Sequence, residues 1–248
     1  MRHTLAASLS PLDWYLPMLR LCINLVDKLH GATVSDENRH LLDAHSLAKK
    51  TVIHLITLHR LHEPVPLDVY ATYQAVENTA PIDHASGNVL LRAALEAYLT
   101  FSYLYLSPAS EEVEARCLSW RMSALLFRQS LDPMAEEDFQ KKVDEGQQLI
   151  TLRESLANNS YFKSSVHKAR KNLQDGRWDY ELTWTQLAGM AGFDQQWFKK
   201  LYGYLCAYAH SGYLTAMQIN TATSKEDQQW LSEFSLRSAL PLLSKFIL

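Results

Sequence analysis

The sequence predicts an all-α protein, and three features carry that prediction. Glycine and proline number eight each in 248 residues, about half of average usage, so the chain has few turns to make. Apolar residues recur at helical spacing between recognisable start and stop signals. No segment shows the apolar–polar alternation of a strand. The expected architecture is a single helical domain spanning 1–248, a bundle of about eight to ten helices.

The elements follow in order. Ser10-Pro11 opens a first helix whose apolar positions Leu12, Leu16, Leu19, Ile23 and Val26 share a stripe, and Gly31 closes it. Ser35 caps the next helix, which must stop before Pro64. Pro66 begins a shorter segment through about Asn78. A long apolar helix runs from about Ser86 to Leu106 and ends at Pro108. Ser110 caps "EEVEARCLSWRMSALLFRQSL", whose first turn holds three glutamates where the helix dipole favours them. Residues 134–174 read as one broken helix or two. Thr183 and Gln186 form a capping box for a short helix ending at Gly189 or Gly192. Asp194 opens a helix that carries "LYGYLCAYAHSGYLTAM" and is expected to continue to about 224. Ser224 opens the last, which Pro241 should kink.

Composition narrows the function classes. A net charge of −3 and a pI near 6.4 argue against bulk attachment to nucleic acid or anionic lipid. Cys22, Cys117 and Cys206 are far apart and never form a CxxC, so buried free thiols in a reducing, cytoplasmic setting are expected. Residues 201–224 lack Asp, Glu, Lys and Arg, yet their tyrosines, His210, Gln218 and Asn220 suit a buried helix better than a membrane span. No phosphate-binding glycine loop, G-x-S-x-G, H-E-x-x-H or Walker motif occurs.

Two helices carry awkward polar residues. Arg92 and Glu96 sit four apart on one face of the otherwise apolar "VLLRAALEAYLTFSYLYL". Charges buried there need partners, and Arg116, Arg121 and tyrosine hydroxyls are the candidates. His210 lies on a stripe with Gly203, Cys206 or Ala207, Leu214 and Met217. Because its neighbours along that stripe are small, it is expected to face a neighbouring helix rather than water. Tyr202, Tyr208 and Tyr213 surround it on adjoining faces.

These stretches, "DHASGNVLLRAALEAYLTFSYLYL" and "RWDYELTWTQLAGMAGFDQQWFKKLYGYLCAYAHSGY", resemble the two signature segments of a widespread bacterial all-helical family. That family is known only as a domain of unknown function. Arg92 and Glu96 match its R-x-x-x-E helix, and Trp178 with "LAGMAGF" matches its tryptophan and short L-A-x-x-x-G helix. Tyr202 and His210 match its Y-x-x-x-S-x-x-x-H helix, with Cys206 where the pattern has serine. The resemblance covers about residues 80–215, leaving 1–79 and 220–248 as helical extensions packed on it. It implies no activity, but it raises Arg92, Glu96 and His210 above the other polar residues.

Other constellations carry less. His40, His45, His54, His59 and His62 crowd one helix, but the only Glu-x-x-His match is "ENRH" at Glu37 and His40, whereas di-iron bundles need a pair. No metal and no cofactor are expected, and these histidines read as solvated or interfacial. "RHLLDAH", Arg39 to His45, fits the loose R-x(4–6)-H pattern of HEPN ribonucleases, a pattern common enough by chance to weigh almost nothing. A bundle with arginine and histidine converging is similar to those proteins only at the level of fold. Residues 161–180 hold five Lys or Arg against two Asp, flanked by Tyr161, Phe162 and Trp178, a composition able to hold single-stranded nucleic acid.

Two functional expectations result. The first is a non-catalytic sensing or interaction module, with a buried Arg/Glu/His/Tyr network and Tyr202, Tyr208 and Arg121 lining a ligand pocket or a dimer interface. The second is an RNA-binding or metal-independent RNA-cleaving protein. There His210 is general acid or base, Arg92 stabilises phosphate charge, Glu96 orients one of them, and Lys168, Arg170 and Lys171 hold the backbone. RNA and a second copy are the partners to test; no membrane partner is expected.

Overall fold

The structure is a computed structural model, and it describes residues 10–35, 40–65, 81–108 and 110–248. The expected start of the second helix at 36–39, with Glu37 and Arg39, and the segment 66–78 lie outside the described residues. Among the described residues there are eleven α-helices and no strand. They are α1 (Pro11–Asp27), α2 (His40–Arg60), α3 (His84–Phe101), α4 (Glu111–Ser130), α5 (Glu136–Asn158), α6 (Ser160–Ser164), α7 (His167–Gln174), α8 (Trp184–Met190), α9 (Gln195–Ala209), α10 (Tyr213–Thr221) and α11 (Lys225–Ile247). A single π-helical turn, Ser102–Leu106, continues α3.

The helices group into two compact units. The first takes the chain up to Phe101 together with Ala188–Leu248; the second is Ser102–Leu187.

In the first unit α3 packs on α2, α9 and α11, while α1 packs on α11 and α2. Leu55, Leu91, Leu95, Phe198, Leu205, Leu236 and Leu242 are fully buried at the centre. Tyr15 joins them because its hydroxyl donates to the Leu55 carbonyl at 2.8 Å, so its polar end is satisfied inside. Residues 84–106 are long and apolar enough to cross a membrane, but half of that stretch is buried, as in a core helix.

In the second unit α4 and α5 form an antiparallel pair closed by α6 and α7. Ala115, Leu118, Met122, Leu149, Leu156, Phe162 and Leu173 make its core.

The capping residues read from sequence do their work. Ser110 accepts from the Val113 amide at 3.2 Å, Asp194 from Trp197 at 2.7 Å and Ser224 from Asp227 at 3.0 Å. The Thr183–Gln186 box is reciprocal, at 2.8 and 3.3 Å.

Three boundaries differ from expectation. Residues 134–174 form three helices rather than one or two. The Asn159 side chain accepts from Phe162 at 3.0 Å and donates to the Glu111 carbonyl at 2.9 Å, which offers the backbone an alternative to continuing. The long helix expected to end at Leu106 changes to π geometry at Ser102.

The third difference bears on function. The helix expected to run from Asp194 to about 224 breaks at residues 210–212. Ser211 takes a left-handed φ of 52°, and the Gly212 amide folds back to the Ala207 carbonyl at 2.7 Å. The Ser-Gly dipeptide was the available signal.

Candidate functional site

Arg92 and Glu96 occupy successive turns of α3, facing α9. The Arg92 Nε donates to Glu96 Oε1 at 2.8 Å, and the Tyr202 hydroxyl donates to the same oxygen at 2.5 Å. The Arg92 guanidinium lies 5.3 Å from the centre of the Tyr202 ring, and that ring stacks on Phe198 at 5.5 Å. At the other end, Arg92 Nη1 contacts His210 Nε2 at 3.3 Å. A guanidinium has only donors, so His210 Nε2 is the acceptor in this contact and the ring proton sits on Nδ1. Four residues that the sequence singled out thus meet in one chain of contacts, and the tyrosine hydroxyl foreseen for the network is that of Tyr202.

Two expectations are corrected. The network was expected to be buried, yet the Arg92 and Glu96 side chains are 21% and 28% exposed and His210 is exposed. His210 was expected to face a neighbouring helix rather than water; it does meet Arg92 of α3, yet it stands at the C-cap of α9 and is exposed. The turn that follows lifts it out of the packed stripe, and among the described residues its side chain hydrogen-bonds only with Arg92. Arg116, a candidate partner for these charges, pairs with Glu112 in the second unit, its guanidinium 4.2 Å from the Tyr103 ring.

Electrostatics follow from this geometry. Burial alone would pull the Arg92 pKa down, but the hydrogen bonds with Glu96 and Tyr202 outweigh it and the net shift is upward. Burial raises the Tyr202 hydroxyl, and the adjoining Glu96 carboxylate raises it further. Tyr202 therefore stays a neutral donor.

The remaining sequence candidates lie elsewhere. Tyr208 is buried, donating to Gln218 Oε1 at 2.5 Å with its ring edge-on to His84. Arg121 is half-buried on α4 of the second unit. Lys168 pairs with Glu181 at 2.9 Å, Arg170 is half-buried and Lys171 is exposed. The aromatics beside this basic run take part in packing. Phe162 is buried in the core of the second unit, Tyr161 packs against that core, and Trp178 lies against Tyr103 at 6.0 Å.

The α2 histidines were expected to be solvated or interfacial; several are instead used in packing. His59 stacks on Tyr15 at 6.0 Å, and His45 Nε2 meets the Val26 carbonyl at 3.0 Å. His62, just beyond α2, is buried with Nδ1 3.0 Å from the Ser232 hydroxyl. Of the three cysteines, only Cys22 is fully buried; Cys117 and Cys206 are partly exposed.

Sequence reading missed a buried polar layer in the first unit. Ser235 donates to Asn88 Oδ1 at 3.1 Å, Asn88 donates to the His84 carbonyl at 3.1 Å, and His62 meets Ser232. Serines in a helix of mixed polar and apolar residues leave no pattern that separates these inward positions from solvent-facing ones. The four-residue spacing of His84 and Asn88 was the one clue.

The Arg92–Glu96 helix, the Trp178 loop, α8 and α9 all fall within residues 77–229, the span matched by a family model described as "Family of unknown function (DUF5677)". The chain belongs to DUF5677. No curated protein and no solved structure matches it. The DUF5677 match contains all four residues of the Arg92–Glu96–Tyr202–His210 cluster, while α1 and most of α11 lie outside it.

Proposed function

We propose that this DUF5677 protein is a non-catalytic recognition module whose working surface is the Arg92–His210 pair, and that the pair takes a single oxyanion such as a phosphate. The supporting observation is the way Arg92 is held. Glu96 holds its Nε side, Tyr202 donates to the same carboxylate, and its Nη1 meets an exposed histidine, with the side chain 21% exposed. A guanidinium fixed by its neighbours and partly exposed is suited to oxyanions, because little side-chain freedom is left to lose on binding.

The same geometry weighs against proton transfer. His210 Nε2 is occupied by Arg92, and among the described residues no hydrogen bond holds Nδ1. A catalytic imidazole is ordinarily oriented by such a bond. Metal-independent RNA cleavage is the second reading. One observation favours it: His210 is open to solvent, as a base acting on RNA must be.

One experiment separates the two. Wild type, Arg92→Lys and His210→Ala are titrated with inorganic phosphate at constant ionic strength and, separately, incubated with end-labelled RNA in EDTA. Recognition predicts a phosphate-dependent rise in melting temperature for wild type, weakened in both variants, and intact RNA throughout. RNA cut by wild type and spared by His210→Ala would replace recognition with catalysis.

A further inference from the structure

Tyr213 is the first residue of α10 and is 84% exposed. Among the described residues its ring stacks on no other. It stands three residues beyond His210, across a turn held by the Gly212 amide and the Thr215 hydroxyl, which both donate to the Ala207 carbonyl at 2.7 and 3.0 Å. Three residues of chain span at most about 10 Å, the scale of one nucleotide. The turn that lifts His210 out of the helix therefore leaves an exposed aromatic residue within about 10 Å of chain from the histidine that meets Arg92.

We propose that the Arg92–His210 site takes a nucleoside monophosphate unit, with its phosphate on Arg92 and its base stacked on Tyr213. The proposal rests on the oxyanion-recognition reading and adds the class of ligand. An oxyanion alone needs only the guanidinium donors. A nearly bare tyrosine adds a π-face that accepts any base, and stacking of this kind is largely independent of base identity. The unit is either a free nucleotide or part of a single strand, since both present the same phosphate and base.

The test uses the full chain and five probes: inorganic phosphate, ribose 5-phosphate, adenosine 5′-monophosphate, a single-stranded oligoadenylate and a phosphotyrosine peptide. The proteins are wild type, Tyr213→Phe and Tyr213→Ala, and because the side chain is exposed the variants should melt as wild type does. Adenosine monophosphate is expected to bind roughly 5- to 100-fold more tightly than ribose 5-phosphate. Tyr213→Ala should erase that difference without changing ribose 5-phosphate binding, and Tyr213→Phe should keep it. Oligoadenylate outcompeting the mononucleotide, with a steeper salt dependence, would identify a strand as the source; equal affinity per unit would identify free nucleotide. Equal binding of ribose phosphate and mononucleotide, or preference for the phosphotyrosine peptide, overturns the nucleotide proposal and leaves oxyanion recognition standing. Failure of every phosphate probe to bind removes both.

Discussion

At the scale of single residues, the four clustered side chains divide between holding the fold and facing outward. Tyr202 donates to a carboxylate while its ring stacks on Phe198. Tyr202→Phe keeps the stack and removes the bond, so urea denaturation should show a loss of about 1.5–3 kcal/mol, typical of a hydrogen bond to a charged group. His210 is exposed and contacts only Arg92 through its side chain among the described residues. His210→Ala should change stability by less than about 0.5 kcal/mol. If the histidine variant instead unfolds far more readily than the tyrosine variant, the division is wrong.

At the scale of elements, stability turns on how helices stop. Just past the end of α7 stands Gly176, whose φ is 77°, and a Cβ there would meet Ser123 Cα of α4 at 2.8 Å. Gly176→Ala thus combines left-handed strain with a collision against backbone. It should cost about 2 kcal/mol or more, read as a lowered denaturation midpoint with loss of α7 packing. Asn159 is the other hinge point, because one side chain caps α6 and ties it to Glu111 and Glu114. Asn159→Ala should lose about 2 kcal/mol by the same measurement, whereas Asn159→Asp should restore the cap to Phe162 but not the donated bonds.

At the scale of the whole molecule, acid should weaken the fold through histidines. His54, His59 and His84 all lie in the first unit, and burial, the largest cause in each case, holds their pKa below the usual imidazole value. Asp83 and the Ile82 carbonyl work in the opposite direction at His84 without reversing it. A histidine depressed in the folded state binds its proton more readily when unfolded. The unfolded chain therefore holds more protons as pH falls below about 6.5, and stability is lost in that direction, by up to about 1.4 kcal/mol per pH unit for each proton. Denaturation midpoints should drop between pH 7.5 and 5.5. A His84→Gln variant should show a shallower drop; an unchanged slope would clear His84 of the effect.

How far the sequence reached depends on the kind of interaction. Helix positions, caps and the all-α class were legible because apolar spacing and capping side chains act within a few residues of one another. So was the Arg92–Glu96 pair, which needs only a helical repeat of four. Where a side chain ends up relative to solvent depends on groups far along the chain, and it was not legible. His210 looked buried because its flanking residues are small and apolar. A left-handed Ser211 and a Gly212 amide returning to Ala207 turned it outward instead. The inward serines of α11, Ser232 and Ser235, drew no notice in the sequence, because their partners His62 and Asn88 lie far back along the chain. Periodicity and most of the helix caps were settled by the sequence alone. Burial, the pairing of α3 with α9 and the exposure of Arg92, His210 and Tyr213 were decided only by tertiary structure, because packing sums contacts over helices more than a hundred residues apart.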